Sequence, residues 1–145
     1  MLVRLPVVIL LASSVLASPP AIAASALAVG VTDDPADGIA FGYSYNYQTQ
    51  SEATASALES CRSYSQAPKA NKQCRLIGSR DKGCLAVAFD PKSDSPGMGW
   101  AVTETREEAE RRAMDDCRNA APPDRRDFCR IDIVKCDGDA AEPKE

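Results

Sequence analysis

Thr49-Gln50-Ser51-Glu52-Ala53-Thr54-Ala55-Ser56-Ala57-Leu58-Glu59-Ser60-Cys61-Arg62 returns fifty-six positions later as Thr105-Arg106-Glu107-Glu108-Ala109-Glu110-Arg111-Arg112-Ala113-Met114-Asp115-Asp116-Cys117-Arg118. Each copy opens with a threonine and carries a glutamate three residues on. In such a capping box the hydroxyl accepts from a first-turn amide and the carboxylate reaches back to the cap. Ala53, Ala57, Leu58 and Cys61 fall at i, i+4, i+5 and i+8, as do Ala109, Ala113, Met114 and Cys117. The pattern predicts two helices, each with a narrow small-residue stripe that ends in a cysteine.

Working outward, Gly38–Tyr47 is rich in strand formers, with Phe41, Tyr43, Tyr45 and Tyr47 alternating onto one face. The first helix should run from Gln50 to Ser63, and residues 66–73, with Pro68 and Asn71, read as a loop. Cys74–Ser79 and Cys84–Phe89 read as two short strands, and Arg80-Asp81-Lys82-Gly83 supplies the turn of a hairpin. After a Pro/Ser/Asp loop the pattern restarts. Gly97–Val102 aligns with Gly42–Tyr47, which sets Trp100 opposite Tyr45, and Cys129–Cys136 answers Cys74–Ile77. The expected fold is α+β: a duplicated strand-helix-strand unit, with a mainly antiparallel sheet and both helices on one of its faces.

Residues 1–23 carry a basic start at Arg4, an apolar run from Leu5 to Leu16 and the small-x-small signal Ala21-Ile22-Ala23, the grammar of an export signal. The mature chain is expected to start near Ala24 and to act outside the cytoplasm, in the periplasm or secreted. The apolar run is short for a bilayer span, and no cysteine stands at the cleavage point to take a lipid. The 122 residues that remain suit one domain. We expect a flexible lead-in over 24–37, two repeats over 38–89 and 97–136 within a single domain 38–136, and an acidic disordered tail over 137–145. Loss of Arg4 moves the formal charge from −4 to −5. With that acidic balance and no Lys/Arg cluster, nucleic acid and anionic membrane surfaces are poor partners.

All six cysteines follow the cleavage point, an even count that reads as a disulfide framework. Zinc would need tight Cys pairs or histidine, and the chain has neither. Six cysteines allow fifteen pairings. The duplication favours one bridge in each half and one between the halves: Cys61 with Cys74, Cys117 with Cys129, and Cys84 with Cys136.

The Gly-Tyr-Ser-Tyr-Asn-Tyr (42–47) and Gly-Met-Gly-Trp-Ala-Val (97–102) strands, each followed by a Thr-x-x-Glu-Ala helix ending Cys-Arg and then a Cys-Arg-hydrophobic strand, resemble domain of unknown function 4189. The resemblance covers about Gly38 to Cys136. It implies a small exported bacterial protein with paired cysteines, and it carries no catalytic residues to transfer.

The chain has no histidine, which removes Ser/His and Cys/His nucleophile pairs and most transition-metal sites. If every cysteine is bridged, no thiol nucleophile remains. We therefore assign no catalytic residue, metal or cofactor. Asp90, Asp94, Asp115, Asp116 and Asp132 are available for carboxylate chemistry, and their spacing selects no pair. Glu107 with Arg111 and Glu108 with Arg112 read as solvated i,i+4 pairs. Asp33-Asp34 and Asp137-Gly138-Asp139 lack the ligand spacing of a calcium loop. Gly97 and Gly99 lack the following Lys-Ser/Thr of a phosphate loop.

Tyr43, Tyr45 and Tyr47, with Trp100, form a candidate binding face; the competing reading is a strand that fills the core. The leading expectation is a non-catalytic binding or inhibitor-like protein whose partner is a protein or glycan of the cell envelope. The alternatives are a carboxylate-based hydrolase of envelope glycans and a structural or stress-related secreted protein.

Overall fold

Ala24-Ser25-Ala26-Leu27-Ala28-Val29 alternates alanine with larger residues, and that alternation places this segment at the centre of the molecule. The computed structural model describes residues 23–139. In it Ala24–Val31 is strand β1, buried on both faces for nearly its whole length. The expected flexible lead-in is therefore corrected. Small residues mimic a polar lead-in in composition, yet they are what a strand needs when a helix must lie close on it. A 3-10 turn follows at Pro35–Asp37, capped by Asp34, whose carboxylate accepts from the amide of Ala36 at 2.9 Å. The expected export signal over residues 1–23 lies outside the described residues, apart from Ala23.

The remaining elements are β2 (Ile39–Tyr47), α1 (Gln50–Arg62), β3 (Arg75–Asp81), β4 (Cys84–Phe89), β5 (Met98–Thr103), α2 (Arg106–Ala120) and β6 (Arg130–Cys136). They form two three-stranded antiparallel sheets, ordered β2-β1-β3 and β5-β4-β6. The α+β class, the antiparallel pairing and the duplicated unit hold. The division into two sheets differs from the single sheet expected. The sheets stack face to face, β1 against β4, β3 against β5 and β2 against β6, and each carries its helix on the outer face. The physical reason lies in the central strands. Leu27, Val29, Leu85 and Val87 are fully buried between the sheets, while Ala24, Ala26 and Ala28 turn to α1 and Ala86 and Ala88 to α2. Each sheet thus has two apolar faces to cover, one by a helix and one by the other sheet.

This arrangement moves the boundary between the halves. β3 pairs with β1, and β4 pairs with β5 and β6, so the expected hairpin is instead a passage from one sheet to the other through Lys82, at φ 52°, and Gly83. The repeats are β1-β2-α1-β3 and β4-β5-α2-β6. Their register confirms the match. Ala28 pairs with Gly42 and Ala88 with Gly99, and a bulge interrupts the partner strand after Leu27 and again after Val87. The residue equivalent to Trp100 is therefore Tyr43, two places before the position read from the sequence.

Gly42 and Gly99 set the distance between helix and sheet. A Cβ on Gly42 would stand 2.2 Å from the carbonyl oxygen of Ala57, and one on Gly99 2.1 Å from that of Ala113. Ala53, Ala57 and Cys61 on α1, and Ala109, Ala113 and Cys117 on α2, are buried against these strands. The hydroxyl half of each capping box forms, with Thr49 accepting from the amide of Glu52 and Thr105 from that of Glu108; the carboxylate of Glu52 meets the Thr49 hydroxyl at 3.1 Å instead of the cap amide. On α2, Glu108 pairs with Arg112 as expected, whereas Arg111 pairs with Asp115.

The bridges are Cys61–Cys74, Cys117–Cys129 and Cys84–Cys136. The third joins directly opposed residues of β4 and β6 and so lies within the second half, instead of tying the halves together. Polar contacts across the halves take that place. Asn46 donates its amide to Asp137 at 2.8 Å and its side-chain nitrogen to the carbonyl of Asp139 at 2.7 Å; Gly138 donates back to its side-chain oxygen at 2.6 Å. Asp137 also accepts from Gly83, while Asp139 accepts from the amide of Cys136 and from Arg106. Residues 137–139, expected to be disordered, are a turn that uses every carboxylate it carries; residues 140–145 lie outside the described residues. One buried hydroxyl, that of Ser25, has no hydrogen-bond partner among the described residues.

Candidate functional site

The aromatic row of β2 does not stay on one face. Asn46 sits at φ 62°, and the pairing with β1 shifts between Ala24 and Ala26. That irregularity turns Tyr47 to the helix side, where its hydroxyl meets Ser56 of α1 at 2.8 Å. Tyr43 stays on the inter-sheet side, half-buried against the Leu/Val core, with Tyr45 stacked beside it at 6.5 Å and Lys135 over the ring of Tyr45 at 5.8 Å. Trp100 is also half-buried against that core, but β5 and β2 lie on opposite flanks of the sandwich. The four residues of the candidate binding face are thus distributed over three places.

A concavity lies elsewhere, at one end of the seam between the sheets. A cleft of about 460 Å³ opens where Ile39 and Phe41 of β2 and Tyr64, just after α1, face Phe89, Met98 and Asp132 of the second half. Its volume falls in the range of small-ligand sites, roughly 300–1,000 Å³. Phe41 and Tyr64 form one wall, their ring centroids 5.0 Å apart and the planes inclined by 39°. The loop from Asp90 to Gly97 forms the rim. It is closed by the amide of Asp90 on the carbonyl of Gly97 at 2.8 Å and by the amide of Gly97 on the hydroxyl of Ser95 at 3.2 Å.

Three of the five candidate carboxylates meet here, in three different states. Asp90 is buried and held by two nitrogens on one edge of the Arg125 guanidinium, Nε donating at 2.9 Å to one carboxylate oxygen and Nη2 donating to the other. Arg125 in turn lies 3.9 Å over the ring of Phe128. The hydrogen bond from Arg125 holds the Asp90 carboxyl far below the usual carboxylate range, against the opposing effect of burial. Asp90 therefore stays ionised and occupied, which unfits it to donate a proton. Asp94, at φ 69° on the exposed rim, stands 3.8 Å from the Lys92 ammonium. Asp132 is exposed, and among the described residues it has no ion-pair partner. Burial, and then the charge of Asp132, pushes the Tyr64 phenol up, so it keeps its proton at neutral pH. Asp115 and Asp116 lie on the outer face of α2, away from the cleft.

Among the described residues no group of three or more acidic or cysteine side chains is placed to hold a metal. The carboxylates of Asp34, Asp137 and Asp139 are already engaged by amides and by Arg106. No free cysteine occurs among the described residues, and no helix among them is long and apolar enough to cross a membrane.

Sequence reasoning missed Tyr64, Phe89, Met98 and Arg125. Tyr64 offered a signal, a lone aromatic between two serines where α1 ends, but only the stacking of the sheets brings it to Asp132. The chain matches the family described as "Domain of unknown function (DUF4189)" over residues 24–136. No curated protein and no solved structure matches it.

Proposed function

The chain belongs to the DUF4189 family, whose description assigns no activity, and from its geometry we propose an exported, non-catalytic binding or inhibitor-like protein of the cell envelope. The cleft at the end of the inter-sheet seam is its site. One observation carries this reading: the cleft is walled by Phe41, Tyr64 and Phe89, while its buried carboxylate is already neutralised by Arg125. Such a surface offers stacking area and a fixed shape, and its buried carboxylate is held ionised instead of serving as a general acid. Three disulfides support folding in an oxidising compartment, in keeping with the export signal over residues 1–23.

A second reading, hydrolysis of envelope glycans, rests on Asp94 and Asp132 lining the same cleft. One experiment separates the two. Oxidised protein is immobilised and exposed to envelope extract and to insoluble peptidoglycan, beside Tyr64→Ala and Trp100→Ala variants whose near-UV spectra show an intact fold. Capture of one partner that Tyr64→Ala loses and Trp100→Ala keeps supports binding through the cleft. Release of soluble sugar from the peptidoglycan, abolished by Asp132→Asn, would replace it with the enzymatic reading. Retention of the partner by Tyr64→Ala would move the site away from the cleft.

A further inference from the structure

The charge left over in this cleft names a class of ligand. Of the charged groups that line it, Asp90 is compensated by Arg125, and Asp94 faces Lys92 across 3.8 Å. Asp132 alone carries a charge with no partner among the described residues, and it stands close enough to Tyr64 for its field to act on the phenol. The cleft therefore presents the Asp132 carboxylate beside a neutral phenol and the ring of Phe41, while the ring of Phe89 already has the Arg130 guanidinium over it at 6.0 Å. An anionic ligand would meet Asp132 and Asp94 unfavourably. A neutral sugar would leave Asp132 unpaired. A cation on an apolar stem satisfies both features at once, its charge on Asp132 and the aromatic faces and its stem along Phe41 and Met98.

Resting on the reading of this cleft as a binding site, we propose that it accepts the basic side chain, arginine or lysine, of a peptide partner. The guanidinium or ammonium group meets the Asp132 carboxylate, and Tyr64 and Phe41 flank the stem. The ion pair gives specificity and a salt-sensitive affinity, and the aromatic walls give contact area.

The test uses the oxidised, isotope-labelled protein and four capped amino acids: N-acetyl N-methylamides of arginine, lysine, norleucine and glutamate. We expect the arginine and lysine compounds to shift the amide resonances of Phe41, Tyr64 and Asp132 in a saturable, salt-sensitive way. Asp132→Asn should weaken them about fivefold, the scale of an exposed ion pair. Asp116→Asn, an equal change of net charge on the outer face of α2, should leave them unchanged. If norleucine or glutamate binds the same resonances as well as arginine does, or if Asp132→Asn binds arginine unchanged, the cationic class falls and the cleft remains a site. If none of the four compounds moves the cleft resonances, the cleft reading falls with it.

Discussion

The amide of Asn46 lies 2.8 Å from one carboxylate oxygen of Asp137, whose other oxygen accepts from Gly83 at 2.9 Å. One side chain from the end of the second half thus holds the bulge of β2 in the first half and the turn that joins the two. No disulfide crosses that boundary, so this contact and the buried Leu/Val layer keep the halves together. Asp137→Ala leaves two amides without an acceptor and should cost about 1–3 kcal/mol. Urea denaturation reads the loss. An unchanged midpoint would show that the apolar layer holds the halves without help.

Glycine at 42 and 99 is a matter of contact distance. Alanine at either place drives a methyl into the helix backbone, 2.2 Å from Ala57 O or 2.1 Å from Ala113 O. Each variant should lose about 2–3 kcal/mol as the helix is pushed off its sheet. Gly78 makes the comparison, since a methyl there meets Val102 at 3.4 Å; Gly78→Ala should cost less than about 1 kcal/mol. Equal losses at all three positions would contradict the close helix-sheet packing described above.

Acid stability should follow Asp90. Its carboxyl is held below the unfolded value by Arg125, so its contribution is complete above about pH 4 and is lost as the pH falls towards its depressed folded value. Asp37, through its hydrogen bond from Lys69, and Asp139, through the amide of Cys136 and then Arg106, act with the same sign. Asp90→Asn should be less stable than the natural protein at pH 7, and the gap should narrow between pH 4 and pH 2. Urea midpoints at four pH values measure it; a constant gap would mean that Asp90 acts by packing alone.

The disulfides should differ in value by the length of chain they close. Cys84–Cys136 spans 52 positions and Cys61–Cys74 spans 13. In the chain-entropy account these correspond to about 4 and about 3 kcal/mol. The double variant Cys84→Ala, Cys136→Ala should therefore unfold at lower denaturant than Cys61→Ala, Cys74→Ala. The reverse order would show that the strain of losing the α1 anchor outweighs loop closure.

Local chemistry settled much of this protein before any tertiary contact was drawn. The two helices, their caps, the six-cysteine framework and the antiparallel α+β class follow from spacing along the chain, because capping and helical periodicity act within a few residues. The five carboxylates that qualified for chemistry were visible too, as residue types. Tertiary structure alone decided the rest. It made Ala24–Val31 the centre of a sheet, since alternating alanine and leucine signals a strand only when a helix and a second sheet cover its two faces. It divided the aromatic row, since one left-handed residue, Asn46, reverses the face of everything after it. And it made a site of Phe41, Tyr64, Phe89 and Asp132, residues far apart in sequence, because stacking two halves across a shared apolar layer leaves a gap where their ends meet.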